Sequence, residues 1–192
     1  MWPVIAEKWH VGVLAVVLLV AAVTDLRSGK VYNWLTYPAI VIALAVHTLA
    51  GGLAGGDKAI GLAGSLGGLA MGFLPLLVAW LAGGIGGGDA KLMGAVGALA
   101  GWRFALAAMF YGFIVAAVMA VIVMIARRIT WRTIKRVVRF GLLLLTPSRP
   151  ADPAAADSPK IPFGLALCIG SAAALVEIIF RGTVAGKLML GI

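Results

Sequence analysis

Two aspartates differ from the other acidic residues of this chain because each borders a long apolar run. Asp25 directly follows the run 4–24, and Asp89 directly precedes the run 90–102. A carboxylate at the depth of a membrane is costly unless it faces protein or water, so each is a candidate functional residue. Two carboxyl groups that meet in an apolar cleft do not both ionise easily. One then keeps a proton while the other deprotonates a water molecule, which is the chemistry of peptide hydrolysis.

The remaining acidic residues have simpler explanations. Four of them lie in terminal or loop segments, where solvation accounts for the charge: Glu7, Asp57, Asp152 and Asp157. Glu177 lies late in the last apolar run, one helical turn before Arg181. An ion pair at the helix end explains Glu177 better than a catalytic role does.

The elements that must position the two aspartates are membrane helices. The chain has 192 residues, of which 62% are hydrophobic and only 12% are charged. Soluble domains have about 45–50% apolar and about 25% charged residues, so lipid must cover part of this surface. We predict an all-α integral membrane protein, a single polytopic domain over 1–192. About six transmembrane helices are expected from the apolar runs 4–24, 34–54, 59–82, 90–102, 104–126 and 161–180. The first run is interpreted as a retained span, because Glu7 cancels Lys8 where a signal peptide would be basic.

The basic residues predict the orientation. The side with both aspartates carries 11 of the 16 Lys and Arg residues: Arg27, Lys30, Lys91, Arg127, Arg128, Arg132, Lys135, Arg136, Arg139, Arg149 and Lys160. The other side carries five: Lys8, Lys58, Arg103, Arg181 and Lys187. Loops rich in Lys and Arg stay in the cytoplasm. We therefore expect a plasma-membrane protein whose aspartates face the cytoplasm. The net charge of +9 indicates attraction to anionic lipids rather than to nucleic acid.

One long loop, residues 127–160, carries much of this charge. Its first half, 131–145, has the spacing of an amphipathic helix with a basic face, which predicts a helix on the cytoplasmic membrane surface. An anchor for the topology and a docking surface for a substrate are both possible roles, and the anchor is the simpler one. Its second half, 146–159, is rich in Pro, Ala, Asp and Ser and is expected to be a linker.

Glycines are abundant and patterned. Gly64, Gly68 and Gly72 recur every four residues, as do Gly97 and Gly101, and this spacing favours close packing of membrane helices.

A different glycine run, residues 83–88 with sequence GGIGGG, stands directly before Asp89. It disfavours a helix interior because each Gly costs about 1 kcal/mol relative to Ala. The run is interpreted either as a hinge that admits an extended substrate or as an ordinary turn.

Other chemistries have no support in the sequence. His10 and His47 are too few and too far apart to form a metal-binding cluster, and Cys168 is expected to be a small buried hydrophobe. No nucleotide-binding loop and no nucleophilic serine elbow occurs. We therefore predict no metal and no cofactor.

The aspartates lie in motifs that resemble those of the type IV prepilin peptidases, which are GxGD intramembrane aspartyl proteases. Residues 86–92 read GGGDAKL, which resembles the family's GxGD-x-K-[LM] signature. Asn33 follows Asp25 by eight residues, as in the family, although Tyr32 replaces the usual Pro. Residues 160–164 read KIPFG and resemble the family's entry to its last span.

The resemblance implies specific roles. Asp25 and Asp89 would form the catalytic pair, and five further residues would shape the backbone or bind substrate: Gly86, Gly88, Lys91, Asn33 and Pro162. Lys91 would either bias the pair toward ionisation or mark the membrane interface. The implied activity is removal of a short cytoplasmic leader from prepilins or pseudopilins. The resemblance is to the short form of tight-adherence (Flp) pilus systems, so N-methylation is not expected.

Three alternatives stay open at this point. Archaeal preflagellin peptidases share the same plan. A small transporter or channel could use both aspartates on a proton or cation path. A structural subunit of a secretion assembly would tolerate the loss of both. Presenilin-like and signal-peptide peptidases fit less well, because Thr24 precedes Asp25 where they have Tyr.

Overall fold

The computed structural model describes residues 8–56, 59–127 and 162–180, and within these ranges the chain forms α-helices and no strand. Six helices follow one another: α1 (Lys8–Ser28), α2 (Asn33–Gly51), α3 (Gly61–Leu81), α4 (Gly87–Ala100), α5 (Trp102–Ala126) and α6 (Phe163–Phe180). The predicted all-α fold is confirmed.

Four of the helices are long and apolar enough to cross a membrane: α1 from Val11, α2, α3 and α5. Their outer faces expose large apolar side chains, including Leu19, Leu49, Val78 and Phe110. Lipid can cover such a surface, whereas a water-soluble protein rarely exposes it. The protein is therefore embedded in the membrane. Helix α4 has only 14 residues, which agrees with the short apolar run 90–102.

The chain divides into two compact units. The larger consists of Met1–Val115 and Pro162–Ile192, and it contains both aspartates. The smaller consists of Ala116–Ile161, and its described part is the second half of α5 together with Arg127. The predicted surface helix 131–145 and the predicted linker 146–159 lie outside the described residues.

Helix α4 lies in the centre of the larger unit, where α1, α2, α3 and α6 pack around it. Eleven of its 14 residues are buried. At 1.5 Å per residue it is about 21 Å long, which is shorter than the roughly 30 Å hydrocarbon core. The short length is tolerated because α4 contacts protein on all sides, as helices without a polar face do.

Glycines allow α3 and α4 to cross in backbone contact. A Cβ atom on Gly68 would overlap the carbonyl of Gly97, and one on Gly72 would overlap the carbonyl of Met93. The predicted close packing is thus confirmed for Gly68, Gly72 and Gly97. Gly64 does not take part, since a Cβ there would meet only Ile60, just before the start of its own helix.

Two buried polar side chains bind the carbonyl groups at the end of α4. His47 Nε2 lies 3.0 Å from the Leu99 oxygen, and Ser65 Oγ donates to the Ala98 oxygen at 2.7 Å. The last carbonyls of a helix have no partner within the helix, and in lipid an unsatisfied carbonyl costs several kcal/mol. These contacts therefore hold the far end of α4 against α2 and α3.

The crossing of α3 and α4 predicts that Gly68→Ala lowers the melting temperature of the solubilised protein. Overpacking of this kind costs about 1–3 kcal/mol. Gly67→Ala is the matched control, because a Cβ atom there meets nothing within 4 Å. It removes a helix-interior glycine and leaves the melting temperature unchanged or slightly raised. Equal melting temperatures for the two variants would contradict the backbone contact.

Candidate active site

Asp25 lies inside the last turn of α1. The helix does not end with its apolar run at 24, as predicted, but continues to Ser28. The helix end is set by Gly29, which has φ +61° and donates its N–H to the Asp25 carbonyl oxygen at 2.8 Å. Glycine favours this left-handed conformation at helix ends. As a result Asp25 belongs to a rigid helix, and it is only 5% exposed.

Asp89 lies in the first turn of α4 and is 8% exposed. Its Oδ2 accepts the Gly86 N–H at 3.2 Å, so the carboxyl group binds a free amide at the start of its own helix. Gly86 is extended, with φ −78° and ψ 142°. The glycine run is thus non-helical through Gly86, and Gly87 and Gly88 form the first turn of α4, so no part of the run lies in a helix interior.

The start of α6 lies against both carboxyl groups. The Leu165 N–H donates to Asp25 Oδ2 at 2.7 Å. A Cβ atom on Gly164 would lie 2.9 Å from Asp89 Oδ1 and 3.0 Å from Asp25 Oδ2. These two oxygen atoms are therefore at most about 6 Å apart, the sum of the two distances. Two hydrogen bonds of about 2.8 Å span such a gap, so one water molecule can bridge the carboxyl groups.

Gly164 is a site residue that the sequence analysis missed. Any side chain there would approach the Asp89 carboxyl group more closely than Cβ atoms do in real proteins, and it would approach the Asp25 carboxyl group more closely than most of them do. The KIPFG motif contains Gly164, but only Pro162 of that motif was predicted to shape the backbone or bind substrate. Pro162 directly precedes α6, and its carbonyl accepts the Ala166 N–H at 3.4 Å. Proline is well suited to start a helix, and Gly164 and Leu165 lie in the first turn that follows it. Its backbone-shaping role stays a prediction.

An open cavity of about 290 Å³ adjoins Asp89 and is lined by residues 29–33 and 86–89. It therefore brings together Gly86, Gly88 and Asn33 of the predicted set. Gly88 permits a close approach, because a Cβ atom on it would lie 2.8 Å from the Val31 oxygen. The first turn of α4 and the connection between α1 and α2 are thus in contact, and both line the cavity.

Lys91 links α4 to α2 beside this cavity. Its Nζ donates to Asn33 Oδ1 at 2.9 Å and lies 5.1 Å from the centre of the Tyr37 ring. Ammonium groups are attracted to aromatic faces of this kind. Both contacts lie at the start of α2, so Lys91 holds α4 against α2. Its influence on the pair stays a prediction.

Glu177 lies elsewhere on α6 and accepts a hydrogen bond from the Tyr111 hydroxyl at 2.6 Å. This contact connects α5 to α6. Its predicted partner, Arg181, lies outside the described residues, so the ion pair stays a prediction.

The type IV leader peptidase family model matches residues 12–121, more than half of the chain. A membrane-embedded peptidase is the class that this fold and family define. The chain belongs to the type IV leader peptidase family. The matched range includes Asp25 and Asp89 but ends before α6. No curated protein and no solved structure gave a significant match.

The geometry at α6 predicts that Gly164→Ala reduces leader peptidase activity at least tenfold, because the methyl group would push the carboxyl groups apart. Gly12→Ala is the matched control, since a Cβ atom there meets nothing within 4 Å. Turnover and melting temperature are measured for both variants. Gly164→Ala should lose turnover while it stays folded. Full turnover in a folded Gly164→Ala protein would contradict the close approach of α6.

Proposed function

We propose that this protein is an aspartyl endopeptidase that removes the short leader peptide from prepilins or pseudopilins. The observation that carries this proposal is the pair of buried carboxyl groups that face each other across Gly164. Two buried carboxyl groups with room for one water molecule between them are what an aspartyl peptidase needs. Family membership supports the type of substrate, and the geometry supports the type of chemistry.

The proposed reaction is a direct hydrolysis. One carboxylate accepts a proton from the bridging water, and the water oxygen bonds to the carbonyl carbon of the scissile peptide. The other carboxyl group donates its proton to the peptide nitrogen, after which the C–N bond breaks. The products are a leader with a new carboxyl end and a pilin with a new amine. One proton enters and one leaves the pair, so the proton belongs to both residues rather than to either alone.

The site is proposed to face the cytoplasm at the inner rim of the plasma membrane. The support is the 11 to 5 distribution of Lys and Arg, since Asp25 and Asp89 lie on the side with 11. A leader that precedes an apolar helix would reach this level while its helix lies in lipid. Prepilin and preflagellin precursors both have a leader that precedes an apolar helix. We propose prepilins as the substrates.

The test is cleavage of a prepilin precursor by the purified protein in detergent. Asp25→Asn and Asp89→Asn preserve the side-chain shape but remove acid–base function, so each should lower the rate at least about 100-fold. Asp157→Asn in the predicted linker is the matched control and should cleave normally. A preflagellin precursor is assayed in parallel.

Three results would count against the proposal. Normal cleavage by either pair variant would exclude the two-carboxylate mechanism. Cleavage of the preflagellin precursor without cleavage of the prepilin precursor would show that the substrates are preflagellins rather than prepilins. Ion or proton flux that depends on both aspartates, without any cleavage, would favour a transporter.

A further inference from the structure

Helices α5 and α6 cross at a pair of buried glycines. A Cβ atom on Gly170 of α6 would overlap the backbone of Gly112 in α5, so the two backbones are in direct contact there. Contact at one point fixes the separation of two helices but leaves the angle between them free. Helices α1 and α4 also pack against α6. On the side of α5, contacts away from the two glycines therefore have to set the angle of α6.

The two neighbours of Gly112 supply such contacts. Phe113 lies against Phe163, the first residue of α6, with the ring centres 5.9 Å apart. Tyr111 donates its hydroxyl to Glu177 Oε2 at 2.6 Å. Three consecutive residues of α5 thus contact α6 at its start, in its middle and near its end.

The hydrogen bond is the more exacting of the two outer contacts. Aromatic rings attract each other at centre distances from about 4.5 to about 7 Å, whereas an O–H···O hydrogen bond needs oxygen atoms within about 3 Å. Tyr111 lies nine residues after Trp102, or about 14 Å along a helix that is long and apolar enough to cross a membrane. Water is scarce at such a depth, and a carboxyl group there is a candidate functional residue.

The glycine crossing lies between this hydrogen bond and the carboxyl pair. Along α6, Glu177 is seven residues, or about 10.5 Å, beyond Gly170. Gly164 is six residues, or about 9 Å, before Gly170. A tilt of α6 about the crossing would therefore move its two ends by similar amounts in opposite directions. The end that would move with Gly164 includes the Leu165 N–H, which donates to the pair.

We propose that Tyr111 and Glu177 are positioning residues, which hold α6 at the angle that keeps its first turn against the carboxyl pair. This inference rests on the proposed function and adds two residues that do not touch the reacting atoms. Without their hydrogen bond, the contact between Leu165 and Asp25 would loosen. Small displacements of catalytic groups lower reaction rates strongly, so the defect would be one of turnover.

Substrate binding is expected to change much less than turnover. The cavity beside Asp89 is lined by residues 29–33 and 86–89, which lie outside α6. A tilt of α6 would therefore disturb the carboxyl pair without reshaping these walls. A split between kcat and KM follows from this arrangement.

The test compares Tyr111→Phe, which removes only the hydroxyl, with Glu177→Gln, whose amide oxygen still accepts a hydrogen bond. Both kcat and KM are measured for cleavage of a prepilin precursor in detergent, at a temperature at which every variant is folded. We expect Tyr111→Phe to lower kcat at least fivefold and to leave KM within twofold of the wild-type value. Glu177→Gln should keep at least half of the wild-type kcat. Glu177→Leu, which has no acceptor, should resemble Tyr111→Phe.

The single cysteine of the chain reports on α6 without any cleavage. Cys168 lies in the second turn of α6 and is only 4% exposed. Its alkylation by N-ethylmaleimide should be at least threefold faster in Tyr111→Phe and unchanged in Glu177→Gln. Thr48→Val is the matched control for both measurements, because it removes a hydroxyl that donates to the Leu44 carbonyl within α2.

The outcomes separate this inference from the proposed function. Unchanged alkylation of Cys168 in Tyr111→Phe would overturn the inference, and so would unchanged kcat in a protein that cleaves the precursor. An equal loss of kcat in Glu177→Gln or Thr48→Val would also overturn it. Faster alkylation in Tyr111→Phe, with no cleavage even by the wild-type protein, would support the placement of α6 and overturn the peptidase.

Discussion

Two buried carboxyl groups have to be held together at the ends of helices in a membrane protein, and much of the fold follows from that requirement. A buried carboxyl group is costly unless it accepts hydrogen bonds. Asp25 receives its bond from Leu165 in α6, and Asp89 receives its bond from Gly86 at the start of α4. Because both donors are amides at helix starts, α4 and α6 must begin at the level where α1 ends. The position of three helix ends is thus set by one pair of side chains.

The placement of Asp89 constrains α4, and the helices around α4 fix its position. It cannot cross the membrane alone, so its position depends on its neighbours. Gly68 and Gly97 bring α3 against it in backbone contact, while His47 and Ser65 bind its last carbonyl groups. Rigid backbone packing along α4 and polar contacts at its far end leave little freedom for Asp89. Precise placement of this kind is what catalytic groups need, since small displacements lower reaction rates strongly.

Local signals in the sequence were sufficient for the helical class, for close helix packing through Gly68, Gly72 and Gly97, and for the choice of the two aspartates that the structure brings together, because composition and spacing act over short stretches. The end of α1 was predicted too early, since apolarity stops at 24 whereas the helix stops where Gly29 takes a left-handed conformation. Gly164 was missed for a different reason. Its importance arises from a contact between α1 and α6 across 140 positions of the chain, and spacing within one motif does not reveal which side chains will face it.

The central claim is that the Asp25 and Asp89 carboxyl groups face each other across Gly164. Solid-state NMR of protein labelled with ¹³C at the aspartate carboxyl carbons tests it directly, in membranes and with Asp57, Asp152 and Asp157 replaced by Asn. The distances at Gly164 and a C–O bond of about 1.2 Å place the two carboxyl carbons within about 7 Å of each other. We expect a dipolar contact between the two carbons, and we expect Gly164→Ala to weaken it. Carboxyl carbons more than about 10 Å apart in the folded protein would contradict it.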